Sequence, residues 1–112
     1  MNYNTENGYI VERRLKPRFK CDYPARILGH DANGNKFEEN GRSLNLSRNG
    51  VYLVIRREIP TGAEVSIRLA LPTGLLTPQS SNLSVKGTVV RGEPHSGTNY
   101  GIAITFQKYR FL

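Results

Sequence analysis

The chain reads as all-β: a small six-stranded antiparallel β-barrel with little or no C-terminal helix. Three observations predict it. Short segments of alternating apolar and polar residues recur along the 112 residues, Gly, Pro and Asn signals separate them, and no stretch carries a helical period. Six such strands without intervening helices argue for closure, because a barrel leaves no sheet edge exposed.

Taken in order, Met1 to Gly8 contains three Asn, a Gly and little to bury, so residues 1–10 are expected to form a disordered leader. Residues 11–18 form a basic arm. The i, i+4 spacing of Arg14 and Arg18 would suit a helix face, but Pro17 disfavours helix at Lys16, so the arm is expected to be extended and mobile. The barrel is expected over residues 19–112. Phe19 to Leu28 is its first strand, with Pro24 marking a bulge or an edge, followed by a turn at Ala32-Asn33-Gly34-Asn35. Lys36 to Ser47 returns antiparallel and Val51 to Ile55 follows an Asn-Gly turn. After Pro60-Thr61-Gly62, the segment from Glu64 to Leu71 gives the cleanest alternation. It points Val65, Ile67, Leu69 and Leu71 inward and Ser66, Arg68 and Ala70 outward. Pro72 to Asn82 reads as a polar loop anchored by Leu75 and Leu76. Leu83 to Arg91 is another strand, and Tyr100 to Phe106 closes the barrel with Ile102, Ile104 and Phe106 on one face. Only Gln107 to Leu112 remain, room for at most about one and a half helical turns.

Composition narrows the function. No apolar run approaches the roughly 18 residues of a membrane span, and the polar N-terminus lacks the apolar centre of a secretion signal. A cytoplasmic protein is expected. The single Cys21 excludes an internal disulfide or a cysteine metal cluster and is expected to be a small buried residue. His30 and His95 lie in loops with no ligand spacing, so no metal is expected. Glu38 and Glu39 point to opposite faces of a strand and cannot share one reacting group, and Ser47 has no identifiable base. These residues do not build an enzyme. The net charge is +7, and Val11 to Lys20 alone holds Arg13, Arg14, Lys16, Arg18 and Lys20 against Glu12. A basic block of that kind suits an anionic partner.

The chemistry concentrates in Ser43-Leu44-Asn45-Leu46-Ser47-Arg48-Asn49-Gly50. In an extended chain Leu44 and Leu46 face the core while Asn45 and Ser47 project together. Asn-Gly supplies the positive φ of a tight hairpin, and Gly50 leaves its backbone open to close approach. The pattern NxSxxG recurs at Asn82, Ser84 and Gly87, but there it runs on as continuous strand and reads as chance.

With Arg14 and Arg18 upstream as an RxxxR arm, and Asn45, Ser47 and Gly50 as the (D/N)xSxxG turn, the chain resembles the PilZ domain, the bacterial receptor module for cyclic di-GMP. The likeness runs from about residue 12 to 106, where Tyr100 to Phe106 is similar to the family's closing strand. It implies the same barrel, a cyclic di-GMP ligand, no catalytic cofactor, and a ligand-binding set of Arg13, Arg14, Arg18, Asn45, Ser47, Arg48 and Gly50. An Arg fork matches guanine O6 and N7 and can stack on the purine, while the Asn45 carbonyl accepts from the opposite edge. Asn in place of the family's alternative Asp keeps the acceptor and loses the charge. The family commonly ends in a helix for which this chain leaves little room. In the family, an Arg directly before RxxxR tends to accompany two stacked ligand molecules, so Arg13 implies a dimeric ligand. A mobile arm bridged to a rigid turn by ligand makes a switch, whose output would pass to an unidentified protein partner. Two rivals remain: a basic barrel binding single-stranded nucleic acid, against which the scattered Tyr and Phe argue, and a ligand-silent adaptor.

Overall fold

The structure, a computed structural model, describes residues 3–6, 9–12, 19–72 and 82–112. Its elements are eight strands: β1 (Tyr3–Glu6), β2 (Tyr9–Glu12), β3 (Phe19–His30), β4 (Lys36–Leu46), β5 (Gly50–Ile55), β6 (Glu64–Ala70), β7 (Asn82–Pro94) and β8 (Tyr100–Phe111). Six of them close a barrel in the order β3-β4-β5-β8-β7-β6, with every pairing antiparallel. β1 and β2 pair separately as a two-stranded sheet, Tyr3 opposite Glu12 and Glu6 opposite Tyr9, inside the segment that composition suggested would lack structure. The Leu75-Leu76 anchor expected in the loop after β6 lies outside the described residues.

The core follows from the alternation. Val65, Ile67, Leu69 and Leu71 are buried as expected, beside Ile27, Leu53, Ile55, Val85, Val89, Ile102 and Ile104. Phe106 packs against that core from its edge. Burying these side chains stabilises the barrel by about 1.5–3 kcal/mol for each large aliphatic residue. Turn chemistry closes the gaps between strands. Asp31 Oδ1 accepts from both Asn33 N and Asn35 N at 2.9 Å, and Gly34 (φ 82°) and Gly62 (φ 92°) take the left-handed conformations that side chains resist.

Two features depart from the sequence reading. β8 continues to Phe111 as strand where a short helix had room, and Leu83 lies opposite Phe111. The alternation of Tyr109 and Phe111 with Lys108 and Arg110 already carried that signal. The second departure lies in β4. Ser43 pairs with Leu53 and Asn45 with Tyr52, so Leu44 is an extra residue relative to β5. β3 adds one more, with both Cys21 and Asp22 between Lys20, opposite Asn45, and Tyr23, opposite Ser43. The three strands therefore fan apart at this corner, as bulges make them do. The inward place expected for Leu44 goes to Ser43, which is fully buried, while Leu44 is half-buried and Leu46 faces the core as expected. The Ser43 hydroxyl bridges the gap: it accepts from Tyr23 N at 3.1 Å, donates to Tyr23 O at 3.2 Å and lies 3.2 Å from Cys21 Sγ. Cys21 is accordingly half-buried beside a polar neighbour, not a sealed apolar residue.

Candidate functional site

The site begins at the turn between β4 and β5. Ser47 N donates to Gly50 O at 2.9 Å. The Ser47 hydroxyl accepts from Asn49 N at 3.2 Å and donates to Gly50 O at 3.4 Å. Ser47 therefore builds the turn that it also presents, in the way short hydroxyl side chains mimic backbone. β8 holds the other side, because Phe106 N donates to Asn49 O at 2.7 Å and Thr105 Oγ1 to the same oxygen at 3.4 Å.

Gly50 corrects the expectation of a positive φ. Among the described residues the glycines with positive φ are Gly34, Gly62 and Gly97, and Gly50 begins a regular strand. Its bare backbone serves the neighbouring strand: a Cβ there would stand 2.6 Å from Ile104 O, in a position where Gly50 lies opposite Thr105. The close approach made possible by glycine is that of β8.

Asn45 projects from the outer wall, since its neighbour Leu46 is core. Cross-strand pairing sets it in a row on that wall, running Lys20, Asn45, Tyr52, Ala103 and Arg91 across five strands. Tyr52 lies flat over Gly101, where any Cβ would collide with its ring. Its hydroxyl donates to Glu93 Oε1 at 3.0 Å, and the Arg91 guanidinium stands 5.9 Å from the ring centroid and 3.5 Å, through Nε, from the same carboxylate. Desolvation, then the hydrogen bond to Glu93 and its negative charge, raise the Tyr52 pKa above the ordinary phenol value, against a smaller opposing effect of Arg91.

Asn45, Ser47 and Gly50 thus meet around one shallow depression of about 160 Å³, completed by Asn49, Tyr52, Val90, Ala103 and Thr105. Gly50 and Ala103 contribute little or no side chain to its lining. Arg48 is exposed in the turn and does not line it. Arg13, Arg14 and Arg18 lie outside the described residues. Larger grooves of about 410 and 480 Å³ occur elsewhere on the barrel, but neither touches Asn45, Ser47 or Gly50. The second NxSxxG copy is strand interior, with Ser84 opposite both Arg68 and Arg110. Glu38 and Glu39 are occupied separately by Arg26 and Arg57. Sequence reasoning passed over Tyr52, Ala103 and Arg91; the alternation of β5 marks Tyr52 as outward, but nothing local joins it to Arg91.

A family model described as the PilZ domain matches residues 12–110. No curated protein matches the chain. Among solved structures, the Bacillus subtilis inhibitor of motility MotI/DgrA superposes with a TM-score of 0.69 at 16% identity, covering 89% of this chain and 45% of that one. The PilZ domain of YcgR from Escherichia coli, solved with c-di-GMP, gives 0.62 at 13% identity, covering 86% and 79%. The K. pneumonia MrkH–c-di-GMP complex gives 0.58 at 16% identity, covering 88% and 46%. At these identities the likeness is one of fold, and the chain spans about half the length of MotI/DgrA and of MrkH.

Proposed function

Since the chain belongs to the PilZ domain family, we propose that it is a cyclic di-GMP receptor, acting in the bacterial cytoplasm as a signalling adaptor and not as an enzyme. The observation that carries this reading is where the arm is attached. Lys20 lies opposite Asn45 and the backbone of Phe19 opposite Leu46. Arg18 is only two residues before Lys20, and two residues of chain span at most about 7 Å. Covalent connection supports this reading by keeping Arg18, the last residue of RxxxR, within reach of the wall that bears the (D/N)xSxxG turn. Two of the solved structures with this fold contain c-di-GMP.

In this reading Arg14 and Arg18 take the guanine O6 and N7 acceptors or stack on the purine, and the Asn45 carbonyl accepts from the opposite guanine edge. Ser47 spends its proton within the turn and keeps an acceptor for the ligand. The ligand, bound as a stacked pair with Arg13 offsetting part of the phosphate charge, orders the arm. The altered surface then engages a protein partner.

Calorimetric titration with cyclic di-GMP, using cyclic di-AMP and GTP as controls, tests the proposal. Losing one bidentate Arg–guanine contact costs about 1–3 kcal/mol, so Arg14→Ala or Arg18→Ala should weaken binding roughly 5- to 150-fold. Ser84→Ala should leave it unchanged. Equal affinity for cyclic di-AMP would overturn the assignment.

One observation favours a second reading. Tyr109 and Phe111 are 50% and 40% exposed and alternate with Lys108 and Arg110 on β8. Exposed aromatic faces are the stacking platforms that single-stranded nucleic acid uses, and here the cations stand on the opposite face of the same strand. That reading predicts affinity for oligothymidylate that grows with length and falls in Tyr109→Ala.

A further inference from the structure

We propose that Arg91, held by Glu93 and Tyr52, is a third guanine-reading arginine of the same site; the inference rests on the receptor reading above. Asn45 lies on the β4 side of the depression. The opposite rim is built by β7, where a register shift between Val89 and Arg91 leaves Val90 as an extra residue opposite β8. That bulge puts Val90, 52% exposed, into the wall of the depression and sets Arg91 directly across Ala103 from Tyr52. Ala103 has only a methyl group. Above it there is room for the Arg91 side chain to lie back toward the Tyr52 ring, which it reaches at 5.9 Å.

Two contacts orient this guanidinium, and a third fixes one of its partners. The face of Tyr52 fixes its approach by cation–π attraction. Glu93 meets it through Nε at 3.5 Å, and Glu93 is itself held by the Tyr52 hydroxyl at 3.0 Å. A carboxylate engaged at Nε leaves the two terminal nitrogens available, and these are the fork that matches guanine O6 and N7. The pair lies against the Tyr52 ring beside the depression, whose wall includes both Tyr52 and Val90, the residue next to Arg91. A base seated in the depression would have Asn45 on its β4 side and Arg91, beyond Val90, on its β7 side.

The test is titration of the full chain with cyclic di-GMP and cyclic di-AMP, comparing wild type with Arg91→Ala, Arg91→Lys, Glu93→Gln and a distant control, Arg110→Ala. Urea melts of each variant verify that it folds. Arg91→Ala is expected to weaken cyclic di-GMP binding roughly 5- to 150-fold and to narrow the preference over cyclic di-AMP. Arg91→Lys should lose the same preference, because an ammonium cannot reproduce the fork. Glu93→Gln should weaken binding by a smaller factor through loss of positioning, and Arg110→Ala should match wild type. If Arg91→Ala binds and discriminates as wild type does, the inference is overturned while the receptor reading stands. A gain of affinity in Glu93→Gln, with selectivity intact in Arg91→Lys, would make Arg91 a phosphate counter-charge and also overturn it. A wild-type chain that does not prefer cyclic di-GMP defeats the receptor reading itself, and that is seen before any variant is made.

Discussion

Replacing Gly50 with Ala separates a ligand role from a packing role at the last position of the turn motif. The new Cβ would stand 2.6 Å from Ile104 O and 3.7 Å from Thr105 Cα, both backbone atoms of β8. Carbon and carbonyl oxygen sit comfortably at about 3.3–3.6 Å, so the strands must part by roughly 0.7 Å or more. A flexible side chain could yield that distance easily, whereas here the obstacle is a paired strand. Overpacking of this kind costs about 1–3 kcal/mol, and the lost chain entropy of glycine returns about 0.5–1 kcal/mol. At the centre of these ranges the net destabilisation is about 1.25 kcal/mol, which lowers the melting temperature by roughly 5–10 °C in a domain near this size. Urea unfolding followed by tyrosine fluorescence suits a chain with six Tyr and no Trp; the midpoint should fall with the slope unchanged. Gly92→Ala is the internal control, because its Cβ would meet nothing nearer than Ile102 Cδ1 at 3.5 Å, and it should be neutral or slightly stabilising. Coincident melts for the two variants, with Gly50→Ala losing only ligand affinity, would refute the packing account and return Gly50 to the ligand.

Ser43→Ala strips the hydroxyl that serves both Tyr23 N and Tyr23 O in a fully buried place, so it should lower the unfolding free energy by about 1–3 kcal/mol; an unchanged urea midpoint would show that the corner does not need this staple. Arg13→Leu is expected to reduce the stoichiometry from two cyclic di-GMP per chain to one while binding persists, and a wild-type ratio of one at saturating ligand would leave Arg13 without that role. Amide exchange over residues 11–17 should slow on adding ligand, and equal protection with and without it would mean that no ordering accompanies binding. Tyr52 should ionise above free tyrosine, whose pKa is about 10. A raised folded-state value means that this stabilisation is complete below the unfolded pKa and is lost as pH rises through the higher folded one. Phenolate absorbance of wild type minus Tyr52→Phe measures the shift, and titration at or below the ordinary value would contradict the Glu93 contact.

Much of the fold was legible because the half-buried strands announce themselves. Val65 to Leu71 and Ile102 to Ile104 alternate cleanly, and each outward position within these two segments is a polar or small residue. The motif residues Asn45 and Ser47 were legible too, and they do converge. What stayed hidden depends on partners distant in the chain. The need for glycine at position 50 is set by a carbonyl of residue 104, so local reasoning assigned it to φ. The Tyr52–Glu93 bond spans 41 residues and joins strands separated by β8. Leu44 misled because Leu-x-Leu is ordinary alternation in writing; only the count against β5 reveals that one of the two leucines is surplus. The strand at Tyr109 to Phe111 was readable in its alternation and was passed over because the six residues after Phe106 were weighed only as room for a short helix.

The surplus residue at Leu44 has a numerical consequence. Along β4 the inward positions Phe37 and Ser43 are odd-numbered, and beyond the bulge the inward position, Leu46, is even. The strand changes phase once, at the border between the part that closes the barrel and the part that carries the binding face. Deleting the surplus residue, Leu44, would let Ser43 pair with Leu53 and Asn45 with Tyr52 in unbroken succession, keeping Asn45 outward and Leu46 in the core. The bulge is thus a spare residue that this stretch can lose without exchanging its two faces. A deletion of the same size in a regular strand, which has no surplus to give up, turns every later side chain to the opposite face.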